Sequence, residues 1–298
     1  MRAKPDAKKT AEKRAGSTIL GFIKELAFIL LAVLVINSFV MASFEVPTGS
    51  MEDTVAIGDR VFVNKFIYGG TTPYTIPLTS IRIPHLRVPG FRNVARYDVI
   101  VFDWPGGRDE VEKPIQMWYL KRCIALPGET LEIKNQVVFI NGKALPPPPR
   151  SKHIRGAVLG RELTNPNIFP RGAQFNEDNY GPITIPRKGM QVALSARNFQ
   201  AWEILIRREG HDAQRREGKV LIDGRETASY TVQRDYVFAM GDNRDNSLDS
   251  RFWGFVPLED VIGTPFIVYW SWDPKIPISH LIDKLSSVNL RRIGTTIR

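Results

Sequence analysis

Residues 236–257 read YVFAMGDNRDNSLDSRFWGFVP, an apolar run that passes directly into a polar segment. The first five residues have the β-branched and aromatic content that is typical of a strand. Residues 241–251 are then dense in Asp, Asn, Arg and Ser, which favour turns and hydrogen-bonded loops. Taken alone, the polar segment indicates only an ordered loop that follows a strand.

Short apolar runs of the same kind recur at residues 61–63, 98–102 and 137–140, and Gly, Pro, Asn or Asp bound them. The dipeptide Asp223-Gly224 fits a hairpin or a longer turn, and short connections of this kind join antiparallel strands. Helical periodicity is scarce, apart from a short helix expected near residues 279–285. The sequence therefore predicts a mainly β fold with an antiparallel β-sheet domain and a second, smaller β region.

The longest apolar segment is residues 26–44, LAFILLAVLVINSFVMASF, with 19 residues and no formal charge. A helix of this length covers about 28 Å, which is close to the hydrocarbon thickness of a bilayer. We predict one transmembrane anchor over residues 19–44, with the N-terminus in the cytoplasm because basic residues precede it. The alternative is a cleavable signal peptide with a cleavage site near Ala42, but the apolar run continues to Phe44.

The net charge of +10 is concentrated at the two ends of the chain. Six Lys and Arg residues lie within the first 18 positions, and Arg291, Arg292 and Arg298 lie within the last eight. Basic ends of this kind suit an anionic membrane surface. No zinc-finger spacing or aromatic RNA-binding motif accompanies them, so we expect no nucleic-acid partner.

Cys123 is the only cysteine, which excludes a disulfide within the chain and a multi-cysteine metal site. Its apolar surroundings predict a buried strand residue. The four histidines have no metal-binding spacing, so we expect neither a metal nor a cofactor.

Two segments read as insertions. Residues 66–94 contain prolines and scattered apolar residues, and they form either a long ordered loop or a surface that dips into the lipid headgroups. Residues 143–219 open with the stiff run Pro146–Pro149 and then become polar and charged. We expect this second segment to form either the smaller β region or a decoration on the main domain.

Two further motifs carry candidate chemistry. Ser50 lies in PTGSM at residues 47–51, six residues beyond the apolar segment. Lys121 lies in WYLKRCIALPGE at residues 118–129 and has apolar neighbours, which is unusual for a lysine. Each motif is weak alone. Together with GDNRDNSLDSRFWGFVP and with RYDVIVF at residues 96–102, they resemble type I signal peptidase over residues 20–142 and 220–272.

The resemblance implies a membrane-bound Ser-Lys endopeptidase that removes signal peptides from exported pre-proteins. Ser50 would be the nucleophile, and a neutral Lys121 would be its general base. Since a free lysine has a pKa near 10.4, activity near neutral pH needs a drop of roughly two to three units, which desolvation can supply. Thr48 and the backbone N–H of Ser50 would form the oxyanion hole.

The polar segment would support this site. The resemblance implies that Ser247 orients the lysine and that Asp249 and Arg251 form an ion pair behind the loop. Asp242 and Arg244 are expected to hold the turn rather than touch substrate.

The resemblance also implies a shallow groove with two small apolar pockets for alanine-like residues, one and three positions before the cut. Asp53 departs from the family pattern, because proline usually stands at this position, and the exact pocket shape is therefore open. The implied substrate-binding residues are Phe44, Val46, Val55, Tyr119 and Leu120.

The predicted organisation follows from these assignments. It comprises a basic cytoplasmic tail (1–18), the anchor (19–44), a catalytic β domain (45–142 and 220–275), the inserted region (143–219) and a basic C-terminal tail (276–298). We expect the enzyme in the inner cell membrane with its catalytic domain outside the cytoplasm. The bilayer and signal-peptide-bearing pre-proteins would be its partners, and the oligomeric state is open.

Two other classes of function stay open at this point. One is a non-catalytic, membrane-anchored β module that binds exported proteins. The other is a LexA-like self-cleaving protein, which would need a DNA-binding segment where this chain has an apolar one. A penicillin-binding-type Ser-x-x-Lys enzyme is excluded, because Asp53 stands three residues after Ser50. Self-cleavage near Ala42 also stays open.

Overall fold

The computed structural model describes residues 7–72, 86–112 and 117–298, with side chains from residue 21 onward. The helices are α1 (Ala7–Val35), α2 (Phe199–Arg208), α3 (Ser250–Trp253) and α4 (Leu281–Ser286), with a π-helical turn at Ile36–Val40 and 3-10 turns at Gly49–Met51 and Leu258–Asp260. The strands are β1 (Met41–Glu45), β2 (Asp59–Asn64), β3 (Val99–Asp103), β4 (Trp118–Ala125), β5 (Thr130–Lys134), β6 (Val137–Ile140), β7 (Lys143–Ala144), β8 (Tyr180–Thr184), β9 (Gln191–Ala193), β10 (Ala213–Arg216), β11 (Lys219–Ile222), β12 (Arg225–Glu226), β13 (Ser229–Thr231), β14 (Tyr236–Met240), β15 (Val256–Pro257) and β16 (Val261–Ser271). The fold is mainly β, as the sequence predicts.

The N-terminal helix is long and apolar enough over Gly21–Val40 to cross a membrane, and the side chains of this stretch are almost all exposed. It therefore fits a single-pass membrane protein rather than the core helix of a globular domain. The predicted anchor ended at residue 44, but helical structure stops at Val40. Residues 41–45 instead form β1, because their backbone pairs with β2 from Met41↔Asn64 to Glu45↔Arg60.

A seven-stranded antiparallel sheet carries the candidate site, in the order β1-β2-β16-β3-β4-β14-β15. It contains the strands predicted at residues 61–63, 98–102 and 236–240. Cys123 is fully buried in β4, as predicted. The sheet thus brings β1, which follows α1 closely in sequence, together with strands from the middle of the chain and with β16 near its C-terminal end.

Three smaller sheets lie outside the seven-stranded sheet. Strands β5 to β8 form a four-stranded sheet, β9 pairs with β13, and β10 to β12 form a third small sheet. Through Leu131↔Ile183, β5 pairs with β8 of the predicted insertion, so the strands of this second β region begin at Thr130, before residue 143. It extends to Thr231, and the Asp223-Gly224 turn joins β11 to β12 as a hairpin.

Helix α2 of this region was not predicted, although Phe199, Trp202, Leu205 and Ile206 follow a helical spacing. Three of these four side chains are buried, and Trp202 packs against the same core. The short helix expected near residues 279–285 is confirmed as α4.

The C-terminal residues do not form a free tail. Ile297 is buried in the cluster that also contains Val61 and Val63 of β2. Arg292 forms an ion pair with the fully buried Asp59. The buried Ile297 side chain and the Arg292–Asp59 ion pair both attach the end of the chain to the sheet. The sequence there indicates only a basic segment.

Candidate active site

Ser50 lies in the 3-10 turn that follows β1. Thr48 has an extended backbone, after which the chain turns back over Gly49–Met51. Ser50 is only 7% exposed, and its carbonyl oxygen accepts a hydrogen bond of 3.0 Å from the backbone N–H of Asn243. The polar segment after β14 therefore packs directly against the predicted nucleophile.

Lys121 lies in the middle of β4, paired with Ile100 of β3. Its Nζ lies 2.6 Å from Ser50 Oγ and 3.1 Å from the carbonyl oxygen of Leu120. The ammonium group also lies 5.3 Å from the centre of the Tyr119 ring. The structure thus brings together the serine and the lysine that the sequence selects 71 positions apart.

Burial lowers the pKa of Lys121 from 10.5 to about 8, while the charges of Asp249 and Asp242 act in the opposite direction. Only 2% of the residue is exposed, and no described carboxylate lies within ion-pair distance of its Nζ. Desolvation of an unpaired ammonium disfavours its charged form. A substantial fraction of Lys121 is therefore neutral near pH 8 and can accept a proton.

The hydroxyl of Thr48 lies beside the nucleophile, with its Oγ1 3.4 Å from Ser50 Oγ. Ser247 lines a cavity together with Ser50 and Lys121. Among the described residues it makes no hydrogen bond with Lys121, and its hydroxyl instead lies near Asp249, whose pKa it helps to lower. The orienting role assigned to Ser247 stays a prediction.

Asp249 and Arg251 form a fully buried, two-pronged ion pair, with hydrogen bonds of 2.9 and 2.8 Å. Burial alone would raise the pKa of Asp249, but Arg251 holds it below its usual value. The same carboxylate accepts from the backbone N–H groups of Gly241 and Arg251. The pair thereby fixes both ends of the loop that carries Ser247.

A second buried ion pair was missed by sequence reasoning. Arg122 donates to Asp242 at 2.7 and 2.6 Å, and Thr54 Oγ1 donates to the same carboxylate at 2.6 Å. Asp242 does hold the turn, as expected, but its partner comes from the strand that carries Lys121. Arg244 also serves the turn, since its Nε donates to the Gly241 carbonyl at 3.1 Å.

An apolar cavity of about 140 Å³ adjoins Ser50 and Lys121. Four of the five predicted substrate-binding residues line it, namely Phe44, Val46, Tyr119 and Leu120. Val55 is not among the lining residues and is fully buried in the cluster that also contains Met51, so its contact with substrate stays a prediction. Sequence reasoning missed Trp118, which lines the cavity and meets the Phe44 ring edge-on at 5.4 Å.

Two other predicted features lie near the sheet. In the segment 66–94, residues 73–85 lie outside the described residues, while Leu86, Val88 and Phe91 are exposed. Contact of this segment with lipid stays a prediction. The ligand atoms of His153, Asp178 and Asp245 lie within 4.8 Å of one another, but Arg155 contacts both carboxylates. This cluster has the contacts of an ion-pair network, and we assign no metal to it.

Comparisons with known proteins agree on one family. The family described as "Signal peptidase, peptidase S26" matches residues 19–270. Signal peptidase I of Pseudomonas fluorescens is 29% identical over 303 residues, which cover 98% of this chain and 84% of that protein. Signal peptidase I of Aquifex aeolicus is 30% identical over 265 residues, covering 84% of this chain and 83% of the other.

A crystal structure of a signal peptidase I from Enterococcus faecalis V583 aligns with 58% of this chain and 97% of its own, at 20% identity and a TM-score of 0.30. The family match covers most of the sequence, including the segments that carry Ser50, Lys121 and Ser247. This chain therefore belongs to the signal peptidase family, peptidase S26, whose members remove signal peptides from exported proteins.

Proposed function

We propose that this chain cleaves signal peptides by Ser-Lys catalysis, with Ser50 as the nucleophile and Lys121 as its general base. The observation that carries the proposal is the 2.6 Å contact between Lys121 Nζ and Ser50 Oγ in a buried site. A serine hydroxyl is a weak nucleophile until a base removes its proton, and a candidate base must lie within hydrogen-bond reach. Lys121 meets this requirement, and the lowered pKa keeps part of it neutral near pH 8.

In the first half of the reaction, Ser50 Oγ bonds to the scissile carbonyl carbon while its proton passes to Lys121 Nζ. The carbonyl π electrons move to oxygen and give a tetrahedral oxyanion. When this species collapses, the bond to the amide nitrogen breaks and Lys121 returns the proton to the leaving amine. The amine is the new N-terminus of the mature protein, and the signal peptide stays on Ser50 as an ester.

In the second half, a water molecule attacks the ester carbon and gives its proton to Lys121. Collapse of the second tetrahedral species breaks the bond to Ser50 Oγ, which takes the proton back from the lysine. The signal peptide leaves with a free carboxylate. Lys121 is thus neutral before each attack and charged after it, so its burial without a carboxylate partner favours the reactive state.

The oxyanion would be held by the Thr48 hydroxyl and the backbone N–H of Ser50. Support for Thr48 comes from its position 3.4 Å from Ser50 Oγ. One such donor is typically worth about 10²–10³ in rate. The neighbouring apolar cavity would hold the small residues before the cut, with Phe44, Tyr119 and Leu120 in its wall.

The membrane would set where cutting occurs. We place the N-terminus in the cytoplasm and the sheet outside the inner membrane, since the charge asymmetry around α1 favours this orientation. Ser50 lies ten residues after the end of the candidate span at Val40. An extended chain of that length reaches at most about 35 Å, which keeps the serine near the bilayer surface.

The test uses the purified full chain in detergent and a pre-protein with an Ala-x-Ala site. Ser50→Ala and Lys121→Met should both abolish cleavage after the last alanine, and chelators should leave the wild type active. Lys284→Met is the matched control, because Lys284 is also buried but donates to the carbonyls of Asp273 and Ile276, far from Ser50 in sequence. Full activity in a folded Lys121→Met variant would rule out the proposed base.

A further inference from the structure

Three segments meet behind the nucleophile. They are the loop at residues 49–53 that contains Ser50, the polar segment at residues 241–247, and residues 150–155 of the second β region, here called the strap. The strap contacts both the Ser50 loop and the polar segment, which are called the two catalytic loops below. Neither the sequence of the strap nor the proposed reaction assigns a role to it.

Backbone hydrogen bonds connect the three segments in a row. The N–H of Asn243 donates to the carbonyl of Ser50 at 3.0 Å. On one side of Asn243, the N–H of Lys152 donates to the backbone carbonyl of Asp242 at 2.8 Å. On the other side, the N–H of Arg244 donates to the backbone carbonyl of Lys152 at 3.0 Å. Lys152 and Asn243 therefore pair as a short parallel bridge. The strap therefore acts as an added strand. It pairs with the backbone around Asn243, which in turn is hydrogen-bonded to Ser50.

The side chain of Lys152 then returns to the nucleophile loop. Its Nζ lies 3.0 Å from Asp53 Oδ2 and 3.2 Å from Glu52 Oε2. Arg150 adds a hydrogen bond of 3.2 Å to the Asp53 carbonyl. Hydrogen bonds to Asp53 and Glu52 raise the pKa of Lys152, so it stays charged where Lys121 does not. Backbone and side chain together close a ring from Ser50 through Asn243 and Lys152 back to Asp53.

Asp53 has a backbone that suits this ring. Its φ is +73°, a left-handed conformation that Asp adopts more readily than most residues. Proline is confined to φ near −65° and cannot take this conformation. The loop therefore needs a residue that combines a left-handed backbone with a carboxylate facing Lys152.

We propose that Lys152 is a positioning residue, whose ion pairs with Asp53 and Glu52 hold Ser50 in register with Lys121. This inference rests on the proposed Ser-Lys function and deepens it by assigning a part in catalysis to the second β region. The contact between Ser50 and Lys121 joins a loop to strand β4, so a small shift of the Ser50 loop lengthens it. Small errors in the placement of reacting groups are known to reduce rates strongly.

The experiment measures kcat and KM for pre-protein cleavage by the full chain in Lys152→Met, Lys152→Arg and Asp53→Asn. We expect Lys152→Met and Asp53→Asn each to lower kcat about three- to tenfold at nearly constant KM, since the pairs are partly exposed. The two losses should not add in the double variant. Lys152→Arg should restore most of the activity, because it keeps the charge.

Lys219→Met is the matched control. Lys219 belongs to the same region and forms an ion pair of 2.7 Å with Glu226 that contacts neither catalytic loop. This variant should have the wild-type kcat. Asp53→Pro should be at least as harmful as Asp53→Asn, because it removes the carboxylate and forbids the backbone conformation as well.

Salt gives an independent measurement on the wild type. Raising the ionic strength to about 1 M shortens the screening length to about 3 Å, so kcat should fall towards that of Lys152→Met. The variant itself should respond little. This comparison also decides the matter if Lys152→Met fails to fold, since an unchanged wild-type kcat at high salt would overturn the proposal.

Unchanged kcat in a folded Lys152→Met variant would likewise overturn the positioning role. Additive losses in the double variant would do the same, because they would mean that Lys152 and Asp53 act independently. Failure of the underlying Ser-Lys function would look different: cleavage would then survive Ser50→Ala or Lys121→Met, whatever happens at Lys152.

Discussion

Lys121 and Arg122 are neighbours on β4, and each is only 2% exposed, yet their surroundings are opposite. The Lys121 side contains a hydroxyl, a carbonyl and the Tyr119 ring, with no carboxylate at ion-pair distance among the described residues. On the Arg122 side, Asp242 accepts two short hydrogen bonds from the guanidinium. Alternation along a strand sends the two cations to opposite faces of the same sheet.

One strand can thus carry both the proposed base and a structural support. A buried cation without a partner is destabilised in its charged form and becomes reactive, whereas a paired one stays charged and fixes its surroundings. The choice of residue matches each role. Lysine can lose its proton when desolvated, while the guanidinium of arginine stays charged and matches a carboxylate with two donors.

The largest effect is expected for Lys121→Arg. The new side chain keeps a positive charge next to Ser50 but cannot act as a base. We expect kcat/KM to fall by more than about 10³, since general-base catalysis alone contributes about 10²–10⁴. Cleavage of a pre-protein by equal amounts of folded enzyme measures this. Activity within tenfold of the wild type would mean that another group removes the Ser50 proton.

The opposite change removes the partner of Arg122. Asp242→Asn leaves the guanidinium buried without a counter-charge, and we expect a loss of about 3–5 kcal/mol in the free energy of unfolding. The control is Glu226→Gln, which breaks an ion pair whose side chains are about 60% exposed. It should cost less than about 1 kcal/mol. Equal losses in the two variants, measured by denaturant unfolding, would contradict the contrast between paired and solvated charges.

A third test measures how much the burial of Lys121 lowers the free energy of unfolding. The pKa of about 8 in the folded chain lies below the ordinary value of 10.5. Between these values the unfolded chain binds more protons, so the free energy of unfolding rises with pH. At pH 7 we expect Lys121→Met to be more stable than the wild type by roughly 2–3 kcal/mol, with the difference shrinking towards pH 10.

Lys284→Met sharpens this test, because it removes a buried lysine that donates to two carbonyls at 2.7 Å. Leaving those acceptors unpaired should destabilise the chain by about 1–3 kcal/mol. Unfolding of both variants at pH 7 should therefore give changes of opposite sign. A loss of stability in Lys121→Met as well would contradict the view that Lys121 is held at a cost.

The smallest expected effect is that of Ser247→Ala. The Ser247 hydroxyl lies in the cavity shared by Ser50 and Lys121, two residues before Asp249. If it orients the lysine during the reaction, its loss should lower kcat about tenfold and leave the unfolding midpoint nearly unchanged. Steady-state kinetics together with thermal unfolding would separate the two. An unchanged kcat would remove Ser247 from the mechanism.

Local patterns predicted much of the fold. The β-branched runs at residues 61–63, 98–102 and 236–240 became strands of the main sheet, because each holds the signal for its own structure. The boundary at Thr130 could not be predicted in this way, since it depends on β5 pairing with β8 about 50 residues later. The docking of Ile297 depends likewise on a distant partner, and the basic sequence around it hides the contact.

The site divides in the same way. Ser50, Lys121 and Thr48 could be selected because each lies in a motif of the family. The bond between Arg122 and Asp242 spans 120 positions, and nothing in either motif names the other. The substrate-binding role of Val55 stays a prediction, since the folded chain buries this residue in the core cluster and the cavity is lined by others. Motifs therefore select candidate reactive groups, whereas pairing and burial come from the folded chain.

Whether Lys121 is neutral at the pH of the reaction can be measured by titrating Lys121 itself. Carbon-13 NMR of the full chain labelled at lysine Cε, with the signal assigned by its loss in Lys121→Arg, would follow this one ammonium group. We expect it to titrate near pH 8, since burial lowers its pKa to about that value. A Lys121 that stays protonated above pH 10 would contradict the account, because no neutral base would then face Ser50 at the pH of the reaction.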